Sequence, residues 1–199
     1  MEIRTGNGYD VHRLVPNRDL ILCGTPVPSS LGLLGHSDAD VATHAVMDAL
    51  LGAAGKGDIG KYFPDTDEKY RGADSMTLLQ EVMQIIGDYR VINVDVTIIC
   101  EKPKLAPYIE SMKNRLAEVL SVRPNQVNVK ATTTEKLGFT GRGEGIAAIA
   151  TCSIEGREWN EIIEETSEDI ERSTEGSGIG QPSAADSCEY GSQSGGWNL

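Results

Sequence analysis

Polar and apolar positions change period several times along the chain, and each change marks an element. Residues 2–12 read as a first strand and Leu20 to Cys23 as a short second one. Ser37-Asp38-Ala39-Asp40 has capping-box spacing with Asp in place of Glu, so a helix is predicted to open at Ser37 and run to about Ala54. That helix is apolar on most sides, through Val41, Ala42, Ala45, Val46, Ala49, Leu50 and Ala53, which is the pattern of a buried helix. His44 and Asp48 stand inside it and call for an explanation. Asp74 is placed to cap a second helix with Leu78, Leu79, Val82 and Ile86 on one face. Over residues 91–100, Val94, Val96, Ile98 and Cys100 alternate with polar neighbours as in a half-buried strand. A third helix is predicted over 106–120, and two more strands over 127–131 and 145–154. This order predicts an α/β (α+β) fold, a mixed four-stranded sheet with helices packed on one face.

The chain has 199 residues, which suits one domain with a real core. Its formal net charge is −12, an argument against a nucleic-acid binder or a ligand of anionic membranes, both of which rely on a positive field. The charge is uneven. Residues 156–199 carry 2 basic and 10 acidic side chains, against 16 and 20 in residues 1–155. The body is thus only mildly acidic, and an anionic substrate is not excluded. Composition divides the chain into a domain over 1–155 and an acidic extension over 156–199. In the extension, Trp159, Ile162, Ile163 and Ile170 allow a short helix within 158–172, and the Ser-, Gly- and Glu-rich remainder reads as disordered. No apolar stretch approaches the roughly 18 residues of a membrane helix. The first residues lack the features of a secretory or transit signal, so a cytoplasmic protein is expected. Cys23, Cys100, Cys152 and Cys188 are far apart in sequence, as reduced, packed cysteines would be.

Four segments carry candidate chemistry. In Asp10-Val11-His12 the outer residues project to one side of a strand. With His44 they would make a three-ligand zinc site of the catalytic type, open at its fourth position. Singly, Asp10 and His12 could be a hydrogen-bonded pair, and His44 a satisfied core residue. His36-Ser37-Asp38 lies where a helix N-terminus would favour an anion such as phosphate, or Ser37 is an ordinary cap. Gly55-Lys56-Gly57-Asp58-Ile59-Gly60 has the letters of a dinucleotide loop but follows a helix instead of a strand, so that reading is rejected. It continues into Phe63-Pro64-Asp65-Thr66-Asp67, either a plain acidic loop or one that accepts hydrogen bonds from a polyol. Finally, Thr132-Thr133-Thr134-Glu135-Lys136 follows a strand and leads to Phe139 and Arg142. The Thr hydroxyls could grip phosphate, Glu135 could ligate a hard cation such as magnesium, and Lys136 and Arg142 could offset diphosphate charge.

Taken in order, these segments resemble the 2-C-methyl-D-erythritol 2,4-cyclodiphosphate synthase family over roughly residues 2–155. The resemblance rests on Gly8 to His12, His36 to Asp38, His44, Gly57 to Asp67, and Val127-Asn128-Val129-Lys130 running into the Thr132 to Gly145 stretch. It implies a homotrimer whose sheets face a central axis, with active sites between chains. It implies zinc on Asp10, His12 and His44, and magnesium or manganese held by Glu135 between two phosphates. Asp10, Val11 and His12 would also contact the substrate, and His36, Ser37, Asp58, Ile59, Gly60, Phe63, Pro64, Asp65, Thr66 and Asp67 would hold its methylerythritol phosphate half. Cys100-Glu101-Lys102-Pro103-Lys104-Leu105-Ala106 and Thr132 to Thr134 would form a cytidine pocket, with Lys104 near the phosphates. His36 and Thr133 would steady the transition state, and Phe139 and Arg142 match positions near the site and central channel. The implied reaction is intramolecular displacement of CMP from 4-diphosphocytidyl-2-C-methyl-D-erythritol 2-phosphate. Two rivals use the same ligands: a metal-dependent nucleotide-diphosphate hydrolase, and a trimer in which zinc only holds the fold.

Overall fold

In the computed structural model, residues 2–156 are described. The helix expected over 158–172 and the disorder expected after it fall outside these residues. The elements are β1 (Glu2–Pro16), β2 (Leu20–Leu22), β3 (Thr25–Val27), β4 (Leu31–Leu34), α1 (Val41–Ala53), α2 (Ile59–Tyr62), α3 (Ser75–Ile86), β5 (Arg90–Ile99), α4 (Ile109–Val119), β6 (Val127–Thr132), α5 (Gly138–Gly141) and β7 (Gly145–Gly156). One mixed sheet has the order β4-β1-β7-β5-β6, parallel only between β5 and β6. The sheet therefore has five strands where four were expected. The difference arises because β1 runs on to Pro16 and pairs there with β4, whose Leu31-Gly32-Leu33-Leu34 has no polar alternation to announce a strand.

β2 and β3 form a separate hairpin, closed by Cys23 and Gly24 at φ 48° and 66°. Both central residues lie in the left-handed region, as a type I′ turn requires. Asp40 makes that turn favourable for a cysteine. Its fully buried carboxylate accepts the amides of Cys23 (2.9 Å) and Gly24 (2.7 Å), and also that of Thr43 (3.0 Å) and the Thr43 hydroxyl (2.7 Å). Asp40, not Ser37, is thus the cap of α1, and the helix begins at Val41. The third predicted helix likewise splits, into a 3-10 turn at Ala106–Tyr108 and α4.

α1 lies across β1 and β7 with no room between. A methyl group on Gly6 would stand 1.9 Å from the Ala49 carbonyl oxygen, and one on Gly8 would stand 2.0 Å from that of Ala45. The small residues Ala148, Ala150 and Cys152 of β7 complete this seam and are fully buried. Even-numbered residues of β1 turn toward α1, and odd-numbered ones toward the sheet's other face. That other face is exposed in the chain and includes Ile3, Tyr9, Val11 and Ile149.

Candidate active site

The seam between β1 and α1 sets the central cluster. Asp10 and His12 are two residues apart on the α1 side of β1, and His44 comes down from the first turn of α1, 8% exposed. The Asp10 Oδ2, His12 Nε2 and His44 Nδ1 atoms form a triangle with sides of 3.0, 3.1 and 3.2 Å. Around an ion with bonds of about 2.0 Å, a tetrahedron has ligand–ligand edges of about 3.3 Å. Two imidazoles and one carboxylate at this spacing fit a divalent metal such as zinc. His12 is oriented by its other nitrogen, which donates from Nδ1 to the Leu34 carbonyl at 2.9 Å. Asp10 is held by the Val11 amide at 2.7 Å.

The electrostatics of the cluster agree. Burial alone would raise the Asp10 pKa, but hydrogen bonds to His12 and His44 and their charge hold its carboxyl well below the usual carboxylate range. Burial would lower the His44 pKa, yet Asp10, with Asp40 and Asp38 further off, raises it. Asp10 is thus held as the ionised member of the triangle, and its charge favours a cation there.

A cleft of about 510 Å³ opens over the cluster. It brings together the expected Asp10, His12, His36, Ser37, His44, Ile59, Gly60, Phe63, Pro64 and Asp65. Leu34, Gly35, Met47, Tyr70 and Leu78 join them without having been foreseen. The His36 Nε2 donates to the Asp67 carbonyl at 2.9 Å, tying the two loops of the cleft together. Phe63 packs edge-on against Tyr70, with centroids 5.4 Å apart. Asp58 caps α2 by accepting the Lys61 amide at 3.1 Å, so that carboxylate serves the helix locally. His36 and Ser37 do not sit at the mouth of α1, as expected for an anion site. Four residues separate His36 from Val41, and the Asp40 carboxylate already occupies the Thr43 amide at the helix start.

The remaining candidates gather elsewhere. Glu101, Lys102, Pro103, Lys104 and Arg142 line a second groove of about 890 Å³ with Lys136. Thr132 to Glu135 leave the end of β6, where the Thr133 hydroxyl donates to Glu135 at 3.0 Å and Thr134 meets Thr140 at 3.0 Å. Cys100 is buried and its thiol donates to the Lys102 carbonyl at 3.0 Å; burial pushes that thiol up to about 11. Phe139 is exposed. Register shows how far this group lies from the triad. Asp10 pairs with Ala148, Ala148 with Ile98, and Ile98 with Ala131. Three strand spacings of roughly 4.8 Å put Ala131, near the end of β6, about 14 Å from Asp10.

Some site residues gave no sequence signal. The Arg18 guanidinium donates to the carbonyls of Leu33 (3.2 Å) and Ser37 (2.9 Å) and pins the segment that carries His36. Ser75 reaches His44 Nε2 at 3.0 Å.

Fold and cluster together define an α/β protein whose cleft carries a set of side chains that could hold a metal ion. The YgbB family model matches residues 3–155. The chain is 60% identical over 156 residues to the 2-C-methyl-D-erythritol 2,4-cyclodiphosphate synthase of Agathobacter rectalis, covering 77% of this chain and 88% of that one. It is 59% identical over 155 residues to the synthase of Listeria monocytogenes, covering 77% and 99%. Among solved structures, the bifunctional IspDF from Campylobacter jejuni superposes with a TM-score of 0.76 at 43% identity, over 80% of this chain. This chain spans 44% of that bifunctional protein. The Plasmodium falciparum IspF CDP complex superposes at 0.69 with 30% identity, over 78% of this chain and 97% of that one. The chain belongs to the YgbB family, and its relatives in sequence and structure are 2-C-methyl-D-erythritol 2,4-cyclodiphosphate synthases of isoprenoid biosynthesis.

Proposed function

We propose that the chain converts 4-diphosphocytidyl-2-C-methyl-D-erythritol 2-phosphate into 2-C-methyl-D-erythritol 2,4-cyclodiphosphate and CMP. It would act in the cytoplasm on the non-mevalonate isoprenoid route, as a phosphorus–oxygen lyase. The observation that carries this reading is the Asp10–His12–His44 triangle inside a cleft of a chain that matches the family over residues 3–155. In the reaction an oxygen of the 2-phosphate attacks the β-phosphorus, the bond from that phosphorus to the oxygen bridging the α-phosphorus breaks, and CMP departs. The nucleophile is already ionised near neutral pH, so the demands are charge neutralisation and in-line alignment. Bound divalent ions supply the first by Lewis-acid stabilisation of phosphate oxygens. The triad would hold zinc. Glu135, with its carboxylate at the end of β6, would hold magnesium or manganese.

Alignment falls to the protein. His36, Ser37 and Ile59 to Asp65 wall the cleft and would seat the methylerythritol phosphate half, with Thr66 and Asp67 completing the loop. Phe63 and Tyr70 pack on each other and against the core, which would hold that loop over the phosphorus and limit water there. Residues Cys100 to Ala106 with Thr132 to Thr134 would take the cytidine, Lys104 the phosphates, and His36 and Thr133 the transition-state charge. The Plasmodium falciparum relative was solved as a CDP complex, in keeping with a nucleotide pocket.

The end of β6 lies about 14 Å from Asp10 on one chain, and the Thr132 to Glu135 segment would meet the triad if neighbouring chains supply one each. The exposed sheet face with Ile3, Tyr9, Val11 and Ile149 gives the surface for such an assembly. We therefore read the working unit as a homotrimer with sites between chains. Phosphorus NMR of the product made in 18O-water tests the activity. A cyclic diphosphate and CMP, both free of solvent oxygen, are expected. A linear product carrying 18O would establish a hydrolase instead.

A further inference from the structure

His44 contributes one ring nitrogen to the triad, and the other determines whether that nitrogen is available. A neutral imidazole carries a single N–H, so Nδ1 can offer its lone pair to a metal only while the proton sits on Nε2. His44 Nε2 lies 3.0 Å from the Ser75 hydroxyl and 3.2 Å from that of Ser37. The two hydroxyls are not equivalent. Ser75 is fully buried, and its hydroxyl donates to Asp38 Oδ1. A carboxylate only accepts, so the Ser75 proton goes to Asp38, and the Ser75 oxygen must accept from His44. Ser37 accepts the Ala39 amide at 3.1 Å and, among the described residues, has no such anion to set the direction of its own proton.

Asp38 is itself fixed. Its Oδ2 accepts the Ser75 amide at 3.1 Å, its Oδ1 accepts the Asp40 amide at 3.2 Å, and its own amide donates to the Ala73 carbonyl at 3.0 Å. Ser75 is equally fixed as the first residue of α3, behind the Asp74 cap. The chain of donors thus runs from His44 Nε2 through Ser75 to Asp38, with one sense only. We propose that Asp38 and Ser75 are a positioning pair that holds His44 in the Nε2–H form and sets the affinity of the triad for its metal. The proposal rests on the reading of Asp10, His12 and His44 as a metal site. Such outer partners raise ligand basicity and fix ring orientation in metal sites generally.

The test uses the full chain loaded with zinc and titrated against a chromophoric chelator, with Asp38→Asn, Ser75→Ala and the double variant. Asn offers one uncharged acceptor where Asp38 accepts both the Ser75 hydroxyl and the Ser75 amide, so it removes the anion that fixes the sense of the relay with little change in shape. Each single variant should bind zinc about 10–100-fold more weakly. The double should bind no more weakly than Ser75→Ala, because both act through one hydroxyl. Ser75→Thr, which keeps the hydroxyl, should stay within about threefold of wild type, well under the loss expected from a broken outer shell. A pair that merely fastens α3 to the loop would lower the melting temperature while leaving zinc affinity within that threefold, and this result overturns the proposal. Should Ser75→Ala fail to fold, nitrogen NMR of His44 in Asp38→Asn decides: loss of the Nε2–H form supports the proposal and its persistence overturns it. A wild-type chain that takes up no zinc overturns the metal reading itself, and the proposal with it.

Discussion

Gly8→Ala probes how the fold sets the metal geometry without touching a ligand. Gly8 is two residues from Asp10 on the same face of β1, and the added methyl would stand 2.0 Å from the Ala45 carbonyl oxygen of α1 and 2.8 Å from the Ala49 amide. An ordinary carbon–oxygen contact needs more than 3.0 Å, the lower limit of real contacts at such positions. The helix must therefore back away by about 1 Å, which is several times the roughly 0.2 Å that metal–ligand distances tolerate. His44 rides on that turn of α1, so its Nδ1 leaves the triangle it makes with Asp10 and His12. Overpacking of this kind costs about 1–3 kcal/mol, occasionally more. In a domain of this size that lowers the melting temperature by roughly 2–4 °C per kcal/mol. The assay is thermal unfolding with and without zinc, together with zinc competition. Gly8→Ala should melt several degrees lower, and zinc should no longer raise its transition. Gly52→Ala in the same helix meets nothing within 4 Å and should be neutral or stabilising by up to about 1 kcal/mol. A Gly8→Ala protein with wild-type melting and zinc affinity would refute the reasoning.

His12→Ala and His44→Ala should each abolish stable zinc binding and lower turnover at least ~100-fold, since even outer-shell losses cost metal sites about 10–100-fold; metal analysis and steady-state rates check this. Asp48→Asn should stabilise the zinc-free protein at neutral pH. Burial, aided by the Asp58 and Asp10 charges, raises the Asp48 pKa above its ordinary 3.8. The folded state then holds this proton more tightly than the unfolded state, so wild-type stability falls as pH rises from 3.8 through the raised value. Asn keeps an oxygen for the Ile59 amide, now 2.8 Å from Asp48, and escapes that loss. Melting curves should diverge as pH rises through this window and converge below it.

Much of the site was legible because its chemistry follows local periods. Asp10 and His12 share a face by the two-residue repeat of a strand, and His44 stands out as polar in an apolar helix. What escaped depends on contacts distant in sequence. Ser75 and Arg18 reach the site from 31 and 19 residues away through single hydrogen bonds, and nothing near them in sequence reports it. The α1 start was misplaced because Ser37 and Asp40 both suit a cap, and only the turn at Cys23-Gly24 shows which carboxylate is engaged. The same dependence hid the hairpin, whose Cys-Gly turn becomes favourable only with Asp40 beneath it. β4 was missed because four residues without alternation carry no period. The separation of β6 from the triad within one chain is likewise a matter of sheet register, three strands from Asp10 to Ala131, which no motif reports.

That separation leads to the central claim, that the triad of one chain works with the Thr132 to Glu135 segment of a neighbour. The measurement is activity regained on mixing His12→Ala with Glu135→Ala chains, unfolded and refolded together. Each variant alone lacks one metal ligand at every site and should be nearly inactive. In mixed assemblies some sites draw His12 from one chain and Glu135 from the other, since a closed ring presents different edges to its two neighbours. Those sites are whole, and cyclic diphosphate formation should return. If tagged chains prove to be mixed within assemblies and the rate stays at that of the separate variants, the active site lies within one chain and the shared-site account is wrong.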